Sequence, residues 1–387
     1  MARATKPLKA PFPAIGGKSK TAALVWERLG EPDNYIEPFF FSGATLLGRP
    51  HPPRVETAND LDCMVANFWR ATQRDPEAVV EHVDWPVNET DMHAIHRWLV
   101  SGEGAEEFRR RVREDPDYYD AKRAGRWCWG ACCWIGGGWC TPHGETADGG
   151  RKKCRPSVCH TGKALNGQVP PGRRPQISGD NPGSYGKGVH ALGGGNRPQL
   201  ADAYARGRGV HGNDAAEVCA DRRAWLLDWF GRLRDRMRTV RVCCGHWKRV
   251  CDSESVTTRL GLTGVFLDPP YPTHAPDGTE SRSPGIYATD TTRTALDELR
   301  DEVLAWCKER GDDPRMRVAV CGLDTDGYAE LEGLGWDVVA WKSSGYQNVS
   351  EAGRRNANRE RIWFSPHCVK PGKGALPLFD ALGRAEP

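Results

Sequence analysis

Asp268, Pro269, Pro270 and Tyr271 stand in a row and bring together the groups needed to activate an aromatic amine. The exocyclic amine of adenine is a poor nucleophile because its lone pair is delocalised into the ring. A carboxylate (Asp268) and a backbone carbonyl (Pro269) can accept its two hydrogens, draw the nitrogen toward tetrahedral geometry and free the lone pair for attack on a sulfonium methyl group. The two prolines fix φ and so hold that carbonyl rigidly. Tyr271 offers an aromatic face on which an extruded base can stack. No strong base is needed, since the attacking nitrogen is neutral and its proton leaves afterwards. The plainer alternative is a proline-rich turn after a strand.

A second set of residues lies far upstream. Tyr35 to Ala44 (YIEPFFFSGA) has the strand–turn–helix shape of a nucleotide pocket, with Glu37, Pro38 and Phe39 at the strand's end and Ser42 and Gly43 opening the helix. Amides at that helix start can face a cofactor. Asp60 closes the next strand, where an acid can accept hydrogen bonds from ribose hydroxyls. Before these comes Gly16–Gly17–Lys18, whose glycines permit close backbone approach and whose lysine can meet a carboxylate, such as that of a methionine moiety. Singly, Glu37 and Asp60 also read as helix-capping acids and Lys18 as a surface lysine.

These residues need strands to carry them. Asn34–Phe39, Arg54–Ala58, Gly264–Leu267, Arg317–Cys321, Trp336–Trp341 and Arg361–Phe364 are the strand candidates. Helices are expected from Ala44, over Leu61–Gln73 and over Leu296–Glu309. This alternation predicts an α/β, Rossmann-like, mostly parallel sheet with helices on both faces. The organisation reads as 1–95 and 241–368 for the two halves of the sheet domain, 96–240 for an insertion and 369–387 for a tail.

Within the insertion, residues 151–208 are strongly basic. Arg151, Lys152, Lys153, Arg155, Lys163, Arg173, Arg174, Lys187, Arg197, Arg206 and Arg208 are opposed there only by Asp180 and Asp202, in a chain whose net charge is +3. The rest of the chain is therefore net negative, and the segment reads as a contact surface for a polyanion or, more plainly, as a solvated insertion. No apolar run is long enough to span a membrane and no leader pattern opens the chain, which predicts a cytoplasmic protein. The 14 cysteines, some side by side (Cys132–Cys133, Cys243–Cys244), are expected to be reduced thiols.

Taken in order, Gly16–Gly17–Lys18, Glu37–Pro38–Phe39 with Ser42–Gly43, Asn59–Asp60 and Asp268–Pro269–Pro270–Tyr271 resemble the Dam-like, alpha-class adenine-specific DNA methyltransferases of phages and bacteria. The resemblance covers roughly residues 11–365. It implies a sheet that binds S-adenosylmethionine (SAM) through Gly16, Gly17, Lys18, Glu37, Pro38, Phe39, Ser42, Gly43 and Asp60, with Asp268 between cofactor and target. It implies double-stranded DNA as partner, contacted by Arg151, Lys152, Lys153, Arg155, Arg173, Arg174 and Lys187, and base flipping onto Tyr271, the chemistry of DNA modification in restriction–modification systems. It also starts the target-recognition part at Ala124–Cys140, where Trp127, Trp129, Trp134 and Trp139 are expected mostly in the core, with DNA wedging as the alternative.

Two positions depart from the family. Phe41 stands where the family usually has glycine, so it is expected either to crowd SAM or to resist a positive-φ turn. His246, in Cys244–Gly245–His246–Trp247, falls where an acid is usual. The rival readings are a DNA-binding relative with weakened catalysis and a methyltransferase for another exocyclic amine, in cytosine or RNA. No metal is expected; Cys140, His143, Cys154 and Cys159 or His160 have zinc-ligand types at spacings that match no standard finger. In the tail, Ala375–Phe379 (ALPLF) resembles the peptides captured by bacterial sliding clamps, without their leading glutamine.

Overall fold

A computed structural model of the chain describes residues 8–14, 17–101, 103–133, 139–140, 222–276, 278, 293–341, 356 and 358–370. Among these residues seven strands make one sheet: β1 (Asn34–Glu37), β2 (Val55–Asp60), β3 (Arg241–Cys244), β4 (Thr263–Leu267), β5 (Met316–Leu323), β6 (Asp337–Ala340) and β7 (Glu360–Phe364). Their spatial order is β3-β2-β1-β4-β5-β7-β6. β3, β2, β1, β4 and β5 pair in parallel, and β7 runs antiparallel to both β5 and β6. The architecture is thus mixed α/β with a mostly parallel sheet, compatible with a Rossmann-like fold.

Among the described residues ten α-helices accompany it: α1 (Ala22–Leu29), α2 (Ala44–Leu47), α3 (Cys63–Arg74), α4 (Pro76–Val83), α5 (Glu89–Val100), α6 (Glu103–Glu114), α7 (Ala121–Cys133), α8 (Arg222–Met237), α9 (Lys248–Cys251) and α10 (Arg293–Arg310). Successive strand residues point to opposite faces, and the core divides accordingly. Tyr35, Ala58, Phe266, Ala319 and Cys321 join one cluster with α1, α3, α4, α7 and α8. Ile36, Val265, Leu267, Val318 and Val320 join a second cluster with α9, α10 and Trp336. The sheet is therefore covered on both faces, which is why its central strands β4 and β5 read as largely apolar runs.

Local chemistry sets the ends of these elements. β1 stops at Glu37, before the Pro38 that cannot donate to a ladder. β2 runs to Asp60 itself, two residues beyond the expected Ala58. α3 starts at Cys63 rather than Leu61, because the Asp62 carboxylate caps it by accepting from the Met64 N–H at 2.8 Å. α2 is one turn that ends at Gly48, far shorter than a full helix.

The helices between β2 and β3 share the core of the sheet. Trp127 of α7 packs on Phe12 and Phe68, and Gly125 lets α7 approach α4 so closely that a Cβ there would come within 2.6 Å of the Val79 carbonyl. Trp127 and Trp129 are buried, and Trp139 donates its indole N–H to the Trp127 carbonyl at 2.9 Å; they are core residues, while Trp134 lies outside the described residues. Among the described residues no helix is long and apolar enough to cross a membrane.

Candidate active site

β1 is the point at which the sheet reverses its order of growth. The chain builds outward from β1 to β2 and β3, then returns to place β4 on the other side of β1. In open α/β sheets the crevice at such a switch point, beyond the carboxyl ends of the strands, is where ligands bind. β1 ends in Glu37 and β4 ends just before Asp268, so two residues singled out by type flank that crevice.

Asp268 is 23% exposed and its contacts within the described residues all fall on Oδ1. Lys18 Nζ lies 2.8 Å from that oxygen and the Tyr271 hydroxyl lies 3.5 Å from it. Oδ2 carries no bond from the described residues. Pro269 is buried and Pro270 half-buried beside it. Tyr271 is buried as well, and its hydroxyl donates to Glu360 Oε2 at 2.8 Å. Stacking a base on this ring therefore demands local opening around it.

Lys18 is 4% exposed, in a 3₁₀ turn that follows Gly17. It is not a surface lysine. Besides Asp268 it reaches the Tyr271 hydroxyl at 3.2 Å and lies 5.6 Å from the Trp341 ring centre. Burial alone lowers its pKa, but the Asp268 and Glu360 carboxylates outweigh burial and raise it, so the ammonium stays charged. The carboxylate that Lys18 meets is thus the chain's own. Gly17 has φ −51, open to any residue, although a Cβ would sit 3.1 Å from the Ala14 carbonyl; Gly16 lies outside the described residues.

The turn after β1 is held at almost every residue. Glu37 is buried, and its Oε2 accepts from the Tyr35 hydroxyl at 2.9 Å and the Leu46 N–H at 3.2 Å. Burial pushes its carboxyl up to about 8, against those two bonds and with help from the Asp268 charge. The Pro38 carbonyl accepts from Asn59 Nδ2, which also reaches the Gly245 carbonyl and so ties the ends of β1, β2 and β3 together. Phe39 is half-buried, its ring centre 6.0 Å from that of Trp247. Phe41 takes the positive φ of 37 that its position resists. Its N–H donates to Asp60 Oδ2 at 2.9 Å, its carbonyl accepts from the Trp69 indole at 2.8 Å, and its ring packs edge-on against Phe12 and Trp127. Ser42 is buried, and Gly43 has φ 64 with the Phe40 ring 2.5 Å from where a Cβ would stand.

Asp60 ends β2 with both oxygens engaged, Oδ2 by Phe41 and Oδ1 by the Asp62 N–H at 2.9 Å. Each oxygen keeps a second lone pair for a further donor. Burial, then the neighbouring Asp62 charge, pushes its carboxyl up to about 7. His246 is exposed at the end of β3, with Nε2 3.6 Å from Glu302.

Glu360 and Trp341 belong to this site although no sequence pattern marked them. Glu360 opens β7, and because β7 is reversed its start lies at the carboxyl end of β5. The one signal was an acid at the head of an otherwise apolar strand. The seven basic residues expected to contact DNA, His143, Cys154, Cys159, His160 and the Ala375–Phe379 tail lie outside the described residues. Cys140 is buried, and among the described residues no group of three His, Cys, Asp or Glu can hold a metal ion. No protein-family model matches the chain, and no curated protein matches it.

Proposed function

We propose that this protein transfers a methyl group from SAM to the exocyclic amine of adenine in double-stranded DNA. The observation that carries the reading is Asp268 at the switch point of the sheet, with Oδ1 anchored by Lys18 and Oδ2 left to accept from a substrate. The rigid Pro269 carbonyl beside it supplies the second acceptor that an NH₂ group needs. The crevice suits SAM in its hydrogen-bonding groups: Glu37 and Asp60 border it, and Asp60 keeps acceptor capacity for ribose hydroxyls. When bound, SAM supplies the electrophilic methyl group. Asp268 orients the amine, accepts one of its hydrogens at Oδ2 and is positioned for the proton that the nitrogen sheds. The sheet, with its reversed β7, is compatible with the SAM-dependent methyltransferase plan that the motif order implies.

The rival of a DNA-binding relative with a plugged cofactor pocket turns on Phe41. Its backbone has the φ that a glycine would take, and its ring packs edge-on against Phe12 and Trp127 although the residue is 38% exposed. The turn geometry and these ring contacts favour a working pocket. Single-molecule sequencing and nucleoside mass spectrometry of DNA from an expression host lacking adenine methylation test the proposal. N6-methyladenine with the wild type and none with Asp268→Ala is the expected result. Methylcytosine, or methylated RNA alone, would move the activity to another amine; no methylation together with no heat on titrating SAM would establish the lapsed relative.

A further inference from the structure

Glu360 is a carboxylate with 0% exposure, and nothing in the chemistry above uses it. A buried acid is costly unless it is paired, so its surroundings matter. Tyr271 has one hydroxyl proton and two acidic neighbours. Glu360 Oε2 is 2.8 Å away and Asp268 Oδ1 is 3.5 Å away, so the proton belongs to Glu360. With that proton turned away, the phenol oxygen accepts from Lys18 Nζ at 3.2 Å. The same ammonium holds Asp268 Oδ1 at 2.8 Å. The four groups form one directed chain: Lys18 donates to Asp268 and to Tyr271, and Tyr271 donates to Glu360.

We propose that Glu360 is a positioning residue for Asp268 and acts through the Tyr271 hydroxyl; the proposal rests on the methyltransferase reading above. Without an acceptor at Glu360, the Tyr271 proton turns to Asp268 Oδ1. There it competes with Lys18, and the carboxylate loses the single orientation that leaves Oδ2 facing a substrate amine. Catalytic geometry is sensitive to such shifts, since a displacement of about 1 Å costs on the order of a hundredfold in rate. A purely structural acid would behave differently: its loss would lower stability and leave the folded enzyme's turnover intact.

The test is methyl transfer from methyl-tritiated SAM to genomic DNA of a host lacking adenine methylation, using the full-length chain. Glu360→Leu, which has no acceptor, is expected to lower kcat roughly tenfold or more, with KM for SAM unchanged, and Glu360→Asp to recover part of the loss. In a Tyr271→Phe background, which has no hydroxyl proton to place, Glu360→Leu is expected to cost nothing further. Wild-type kcat in Glu360→Leu, or the same fall with and without the Tyr271 hydroxyl, overturns the proposal. If Glu360→Leu does not fold, Tyr271→Phe breaks the same link from the other side, and full turnover there is equally fatal. A wild type that methylates no DNA instead overturns the underlying reading.

Discussion

Lys18 and Asp268, 250 positions apart in the chain, meet at 2.8 Å. The lysine is almost wholly enclosed, and Glu360 adds a second negative charge to its surroundings. Lys18→Met is therefore expected to leave the Asp268 carboxylate without its cation. Breaking a buried pair from one side costs about 3–5 kcal/mol, and partial hydration of Asp268 should put this case near the lower limit. Urea unfolding measures it. Lys18→Met combined with Asp268→Asn should recover part of the loss, and a single variant as stable as the wild type would show that the pair contributes nothing.

Asp268→Asn separates chemistry from binding. The amide keeps the volume but removes the charge that draws hydrogen from an amine, and it can present an N–H where an acceptor is required. Methyl transfer is expected to fall about a hundredfold or more, the scale seen when one preorganised polar group is lost from a catalytic site. SAM affinity by calorimetry should stay within a few-fold. A parallel collapse of SAM affinity would make Asp268 a cofactor ligand rather than an amine acceptor.

Much of this arrangement is legible in the sequence. β4 and β5 show themselves as largely apolar runs because helices cover both of their faces, and Asp268 follows directly from the end of β4. The one-turn α2 was not legible, since Ala44–Leu47 has helical residue types and only Gly48 cuts it short. Nor was α1 singled out, although Ala22–Leu29 has helix-favouring residue types; Trp26 and Leu29 bury it in the core beside the sheet. Glu360 was hidden for a topological reason. It reaches Tyr271 because β7 is antiparallel, and no local pattern around residue 360 encodes that reversal.

Glu37 should make stability depend on pH in a definite direction. Its folded carboxyl titrates near 8, above the ordinary range near 4.5, so the folded state holds a proton that the unfolded chain has released. Stability attributable to Glu37 is complete below about pH 4.5 and is lost as pH rises through about 8. Glu37→Gln keeps the shape and cannot titrate. Urea unfolding of both proteins from pH 5 to 9 should show the variant gaining on the wild type steadily up to about pH 8 and then levelling off. A constant difference across the range would mean that Glu37 is ionised throughout in the folded protein.

Phe41 combines a strained backbone with a useful side chain, and two substitutions take these apart. At φ 37 any residue with a Cβ is strained, by roughly 1–2 kcal/mol. Phe41→Ala keeps that strain and loses the ring contacts with Phe12 and Trp127; Phe41→Gly loses the contacts and the strain together. Alanine normally exceeds glycine in stability because glycine has more freedom to lose on folding. Here the order should reverse, with Phe41→Gly more stable than Phe41→Ala by about 1 kcal/mol. The bonds from the Phe41 N–H to Asp60 and from the Trp69 indole to the Phe41 carbonyl pin the turn in both variants, so the backbone has no escape from its geometry. If alanine is instead the more stable, the turn relaxes to negative φ once the ring is gone. SAM affinity then gives the functional half of the answer. Affinity within a few-fold of wild type in Phe41→Gly is expected from a ring already engaged with Phe12 and Trp127, whereas a large gain would show that the phenylalanine had been blocking the pocket.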